Sequence, residues 1–484
     1  MTFGYFANTR GVYSMGLIQQ LVRKKFVTPN ETHGLMRCLS AWDLTFMGIG
    51  AIIGTGIFVL TGVAAATQAG PAVVLSFVVA GIACAFAALC YAELAASVGG
   101  CGSAYGYSYA AFGEFIAWII GWDLILEYGV SVAAVANGWS GYFNNALTAV
   151  GLGLPEFLTK GPAAGGLVNI PAVAIILILM GLLITGVKQS ARLNEAMVFI
   201  KLLAISIFIG VAVFHIHPEN WTPFAPFGWF STTPDGKTVG ILAGASLVFF
   251  AYVGFDAVST AVEEAHDPQR DAPIGILASL VFCTVIYIVV SGLLTGIVPY
   301  SELNVSSPVA HALQLIGVNW ASALVATGVI TGLTTVMLVL YYGLTRILMA
   351  MSIDGLLPQL FSEVNRKTHT PVKNTVACGI IMATMAGVVP LGILAELVNI
   401  GTLAAFVLVC GGVIVLRKTR PDMPRPFKMP FGLLLPVLGV LSCAALIMFL
   451  PWVTHLRFIV WLAAGLLVYF LYSQQRSALA AAAV

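Results

Sequence analysis

Twelve apolar runs of about 20 residues, the length a helix needs to cross a bilayer, leave this chain few folds to choose from. They fall at roughly 42–63, 71–97, 113–140, 169–187, 192–214, 238–262, 275–298, 319–350, 373–391, 393–416, 430–451 and 456–473. Lipid offers no partner to backbone N–H and C=O groups, so runs of this kind must be helices. The expected class is all-α integral membrane, with about 12 transmembrane helices. Composition agrees. Apolar residues make up 59% of the 484 and charged residues only 9%, where a soluble domain carries roughly 25%. So few charges can solvate loops, but not the surface of a large soluble protein.

Lys and Arg set the orientation. With the N-terminus inside, the cytoplasmic segments hold 18 of the 22 basic residues. The outside holds Lys160, Lys237 and Arg457, and Lys201 lies within a run. An even number of spans returns the C-terminus to the cytoplasm. The expected location is therefore the cytoplasmic (inner) cell membrane, multi-pass, with both termini inside. The cluster Arg23-Lys24-Lys25 reads as a cytoplasmic anchor. The first ~40 residues contain no apolar core of a signal peptide, and translation could begin at Met1 or Met15.

The longest loops, about 138–168, 215–237 and 351–372, are too short for an independent domain. That favours a transporter or channel over a receptor or a membrane-anchored enzyme. A net charge of +2 argues against a nucleic-acid partner. The eight cysteines lack metal-ligand spacing and read as small packing residues. The seven histidines are scattered, and the close pair His215 and His217 falls in a loop. No catalytic set, metal site or cofactor is expected.

Two runs are interrupted. The first reads Gly48-Ile49-Gly50-Ala51-Ile52-Ile53-Gly54-Thr55-Gly56-Ile57-Phe58. Each glycine weakens a helix by about 1 kcal/mol relative to alanine. The sixth has Phe249-Phe250-Ala251-Tyr252-Val253-Gly254-Phe255-Asp256, with an ionisable residue just past its glycine. Broken helices at corresponding places in two halves point to a binding site between inverted repeats. The alternative is that these glycines only let helices pack closely. A break would suit a zwitterionic amino acid. Exposed N–H groups at a half-helix N-terminus bind a carboxylate, and exposed carbonyls at a half-helix C-terminus bind an ammonium.

The stretch G-I-G-A-I-I-G-T-G-I-F, followed by Gly70-Pro71 and Tyr91-Ala92-Glu93-Leu94, resembles the amino acid–polyamine–organocation superfamily. So do F-F-A-Y-V-G-F-D-A, Asp267-Pro268-Gln269-Arg270, the segment from Arg346 to Pro358 and Arg425-Pro426-Phe427. The likeness runs from about residue 38 to 473 and is greatest to bacterial homologues of the cationic amino acid transporters. It implies a LeuT-like 5+5 inverted repeat with discontinuous helices 1 and 6, plus two extra C-terminal helices. The chain then divides into a cytoplasmic tail (1–41), a first repeat (42–214), a second repeat (238–416), two further spans (430–473) and a C-terminal tail (474–484). The implied activity is secondary active transport of a small-molecule L-amino acid by alternating access. Backbone around Ile52, Thr55 and Gly56 would hold the substrate carboxylate. Carbonyls of Phe250, Ala251 and Val253 would hold the ammonium, and Phe250 would cap the site as an aromatic gate.

Ionisable residues inside a span are costly and read as functional by default. Lys201 either snorkels to the interface or, as the resemblance implies, supplies from span 5 the positive charge that a sodium ion supplies in related folds. The second reading favours proton coupling or exchange without sodium. Asp123 and Glu127 are one helical turn apart on one face, and Glu127 lies deeper, where a carboxyl suits proton carriage. Asp256 follows the second break and could pair with Lys201 in coupling. Glu93 and Glu396 lie nearer span ends and read as interfacial. By the resemblance, Leu340 borders the substrate side chain, and its apolar bulk favours neutral amino acids. The rival readings are a cationic amino acid or polyamine transporter or an amino acid exchanger of the same fold, and a channel. A channel would need a polar pore, and no filter-like motif is present. The expected partners are the amino acid, protons and the lipid bilayer; protein partners are unknown.

Overall fold

Ser40 opens the first helix. Its hydroxyl accepts the Asp43 N–H at 3.3 Å, and the Asp43 carboxylate accepts the Ser40 N–H at 2.7 Å, a reciprocal capping box. The structure is a computed structural model describing residues 23–24, 37, 39–98, 104–149, 151–185, 191–234, 236–366, 368 and 370–479. Met15, Lys25 and the last residues of the expected C-terminal tail lie outside the described residues.

The helices are α1 (Ala41–Ile52), α2 (Val73–Val98), α3 (Ala104–Ala111), α4 (Glu114–Ala149), α5 (Ile170–Ile184) and α6 (Ala191–Ala212). They continue as α7 (Ile241–Val248), α8 (Ala257–Thr260), α9 (Pro268–Ile297), α10 (Pro308–Leu315) and α11 (Asn319–Ile353). They end with α12 (Val372–Val388), α13 (Leu391–Thr419), α14 (Leu434–Met448) and α15 (Trp452–Val468), and short helical turns at Thr61–Ala64 and Gln474–Arg476 are left unnumbered. Among the described residues, eight helical segments are long and apolar enough to cross a membrane, and four more apolar helices are shorter. Every apolar run expected from the sequence lies on these, the first of them divided between Ala41–Ile52 and the segment that begins at Gly56. Asn169 starts α5 by accepting the Ala172 N–H, and Pro171 fits its first turn. Val389-Pro390 separates α12 from α13.

Some boundaries differ from expectation. The helix α4 runs on to Ala149 through residues too polar to count as part of an apolar run. The helix α9 begins early, at Pro268, because proline is at home in a first turn. Helices α3 and α10 occupy segments expected as loops; at eight residues each they are too short to register as spans. A two-stranded antiparallel ribbon, Ser231–Thr232 with Thr238–Val239, lies in the 215–237 loop region and just beyond it.

Packing places the broken first helix at the centre. Helix α9 lies along α1 and α2, α4 along α11 and α13, α12 along α5, and α6 along both α11 and α1. Close approach of α6 to α11 depends on glycine. A Cβ added at Gly328 would stand 2.6 Å from the Ala204 Cβ. Large apolar side chains such as Phe199, Val281, Ile381 and Leu471 are exposed on the outside. So much outward apolar surface fits a lipid environment. The protein is an all-α, multi-pass membrane protein.

Candidate functional site

Both interrupted runs are broken in the structure, and the breaks cross. Helix α1 ends at Ile52; Ile53 is extended (φ −73°, ψ 99°), and the helix resumes at Gly56 as a wide π-type turn. Helix α7 tightens into a 3-10 turn over Phe249–Tyr252, and Val253 is extended. Gly254 then adopts φ +121°, a conformation open to glycine at little cost. A Cβ at Gly56 would lie 2.2 Å from the Ala251 Cα, and one at Gly254 would lie 3.0 Å from the Ala51 carbonyl carbon. The two unwound backbones therefore touch. The glycines serve close packing and, at the same place, expose backbone polar groups.

The residues singled out for substrate contact gather here. Ile52, Thr55, Phe250, Ala251 and Val253 are all buried. Thr55 has a hydroxyl with no partner among the described residues, and Gly138 of α4 comes so close that a Cβ there would lie 2.7 Å from the Thr55 Oγ1. N–H groups at the start of the renewed helix, at Thr55 and Gly56, have no helical carbonyl behind them. Leu340 is buried in α11, one turn beyond Val336, whose methyl carbons would lie 3.7 Å from a Cβ on Gly54. Residues 336 and 340 therefore share the face turned to the break.

Tyr287 of α9 escaped sequence reasoning. Its Oη lies 2.9 Å from both the Ile52 and the Ala251 carbonyl oxygens, so one phenol ties the two breaks together. The signal was available: a tyrosine inside an apolar run needs a partner for its hydroxyl.

Lys201 is fully buried. Its ammonium donates to the Gly50 carbonyl at 2.7 Å and to the Ile53 carbonyl at 3.1 Å. Gly332 of α11 lies against its side chain, where an added Cβ would be 3.1 Å from the Lys201 Cβ. The lysine thus lies between the first broken helix and α11, and it does not snorkel.

The carboxyls form a separate group. Asp256 accepts the Tyr128 hydroxyl at 3.3 Å. Glu127, one residue before Tyr128, is close enough to Asp256 and Asp123 for each to act on its charge. All three carboxyls are buried. The expected pairing of Asp256 with Lys201 is not formed. Past the turn at Gly254 the Asp256 side chain meets α4, while Lys201 is committed to the carbonyls at the end of α1. Glu93, near the end of its span, is buried within the protein and accepts from Arg417 Nε at 2.8 Å and from the Met429 N–H at 3.0 Å. A second Arg417 contact and Arg425, at 3.6 Å, complete its surroundings. Glu396 remains partly exposed, accepting the Thr454 hydroxyl at 2.6 Å.

Residues 39–472 match the amino acid permease family. The chain is 50% identical over 450 residues to the branched-chain amino acid permease BcaP of Bacillus subtilis (strain 168), covering 92% of this chain and 95% of the relative. It is 47% identical over 468 residues to the methylthioribose transporter of the same organism, covering 96% of this chain and all of the relative. It is 39% identical over 415 residues to the vacuolar cationic amino acid transporter 4 of Arabidopsis thaliana, covering 84% and 68%. A chain of membrane-crossing helices with two crossed breaks, matched to these transporters along almost its whole length, belongs to the amino acid permease family of the amino acid–polyamine–organocation superfamily.

Proposed function

We propose that this protein carries neutral L-amino acids across the cytoplasmic cell membrane by alternating access, driven by protons and independent of sodium. One observation carries the reading: the Lys201 ammonium donates to the Gly50 and Ile53 carbonyls and lies against Gly332 of α11. A fixed cation there takes the place of the sodium ion that bridges the same two elements in related folds. Residues 42–214 and 238–416 act as the two inverted repeats, each with its break in its first span, and 430–473 add two peripheral spans. Both termini face the cytoplasm.

The substrate carboxylate is held by backbone N–H groups around Ile52, Thr55 and Gly56, aided by the helix dipole. Its ammonium meets the carbonyls of Phe250, Ala251 and Val253, and the Phe250 ring closes over it. Leu340 sets the side-chain preference; the 50% identity to a branched-chain amino acid permease supports a neutral substrate. Glu127 carries the coupled proton, and Asp256 tunes it from the second break.

Purified protein in liposomes, offered labelled leucine, isoleucine, alanine, arginine and lysine, tests the reading. Uptake of the neutral amino acids should exceed that of arginine and lysine and should respond to an inward proton gradient in sodium-free buffer. Arginine uptake exceeding leucine uptake, or a requirement for sodium, would overturn it. The 47% identity to a methylthioribose transporter favours a second reading, a substrate that is not an amino acid. Inhibition by methylthioribose, with none by any amino acid, would decide for it.

A further inference from the structure

We propose that protons pass between the Glu127–Asp256 pair and the cytoplasm along a line of buried hydroxyls bridged by water, with Tyr107 and Ser259 as its relay groups. This rests on the reading of Glu127 as the proton carrier.

The starting observation is a concentration of orphaned hydroxyls. Among the described residues, Thr402 Oγ1, Ser131 Oγ, Ser259 Oγ and Tyr107 Oη are buried without a hydrogen-bond partner. Buried polar groups are normally satisfied, and where protein supplies no partner ordered water does. Each belongs to a segment that meets Glu127 or Asp256. Ser131 is one turn from Glu127 on α4, and the Thr402 hydroxyl of α13 faces the Glu127 carboxyl. Ser259 lies in the turn that starts at Asp256, its N–H donating to the Asp256 carbonyl at 2.8 Å. The Tyr107 hydroxyl of α3 faces Ser259 short of hydrogen-bond geometry, and it lies within reach of the Asp256 charge.

Thr260, next to Ser259, is exposed. A Cβ added at Gly106, next to Tyr107, would meet nothing within 4 Å. The segments that carry the relay groups thus adjoin the surface at Thr260 and free space beside Gly106, while the Ser259 and Tyr107 side chains are themselves buried. The titratable groups facing the pair are Tyr91 from α2, Tyr107 from α3, and Asp123 and Tyr128 from α4. From α13 comes the Thr402 hydroxyl. Tyr91 braces Tyr107 edge to face, with ring centroids 6.0 Å apart.

The chemistry needs no other reactant. A hydroxyl or water accepts a proton on a lone pair and releases its own to the next oxygen. Each relay group ends unchanged, and one proton has moved from carboxyl to cytoplasm or back. Hydroxyls that only filled space would not affect proton movement.

The test compares Tyr107→Phe, Ser259→Ala and the double variant with Glu127→Gln in liposomes, using L-leucine or whichever amino acid the wild type takes up fastest. Two rates are read: net uptake driven by a proton gradient, with its pH profile, and exchange of labelled for unlabelled substrate without a gradient. The double variant should slow net uptake by about tenfold or more and leave exchange close to wild type. Ser259→Thr, which keeps the hydroxyl, should retain both rates. If the double variant is unstable, Ser259→Ala against Ser259→Thr carries the test alone. Unchanged net uptake, or an equal fall in uptake and exchange, overturns the relay. Should Glu127→Gln itself keep full proton-driven uptake, the coupling reading fails first, and the two failures are distinguishable.

Discussion

The site of Lys201 and the cluster around Glu127 are both buried and both ionisable, yet they are built in opposite ways. Lys201 donates to two carbonyls at the end of α1 and is packed against glycine on α11. The carboxyl cluster is left short. Asp123 Oδ1 and the hydroxyls of Ser131, Thr402, Ser259 and Tyr107 have no partner among the described residues, and Asp256 has one long bond from Tyr128. A charge matched to its partners behaves as a fixed part of the scaffold. A cluster with spare hydrogen-bonding capacity can change its protonation and its partners as the helices move. In the proposed function this difference separates holding the broken helix from moving the proton.

Breaking the matched side should have the largest effect. Lys201→Met leaves the Gly50 and Ile53 carbonyls without their donor, and each buried acceptor left unsatisfied costs about 1–3 kcal/mol. Uptake and exchange should both fall to background, and the melting temperature of the purified protein should drop. Normal transport by this variant would erase the contrast. Next comes Glu127→Gln, which keeps the shape and removes the titration. Proton-driven uptake and its pH dependence should disappear while exchange persists; parallel loss of both would make Glu127 structural.

Tyr287→Phe should matter less. It removes one hydroxyl from the Ile52 and Ala251 carbonyls, about 1 kcal/mol of net interaction. The expected loss of transport is several-fold, measured in the same assay, and an undiminished rate would show that the phenol does not hold the breaks together. The smallest change is expected for Leu340→Ser. Total transport should fall little, while competition by longer side chains should rise; an unaltered competition profile would remove Leu340 from the pocket.

Periodicity and composition made the helices legible, because an apolar run of this length facing lipid must satisfy its backbone as a helix. Four clustered glycines marked the first break, and a single glycine close to Asp256 marked the second. Two things stayed hidden. Helices α3 and α10 are short and lie between spans, so no long apolar run announces them. The partners of buried polar groups depend on which helices meet, which spacing along one strand of sequence does not encode. That is why the sequence suggests Asp256 as a partner for Lys201, which instead donates to the Gly50 and Ile53 carbonyls, and why it does not reveal that Arg417, far along the chain, meets Glu93. Tyr287 lay in plain view, but nothing local says which carbonyls a phenol will find.

Proton entry measured directly during transport tests the division of labour most closely. Liposomes holding the protein and a trapped pH-sensitive dye, in sodium-free buffer, should acidify inside when the preferred neutral amino acid is added outside. Glu127→Gln liposomes should take up no protons yet still exchange the amino acid. Uptake without acidification, or uptake that appears only with sodium, would contradict the proposal that Lys201 replaces the metal ion and that the carboxyl cluster carries the proton.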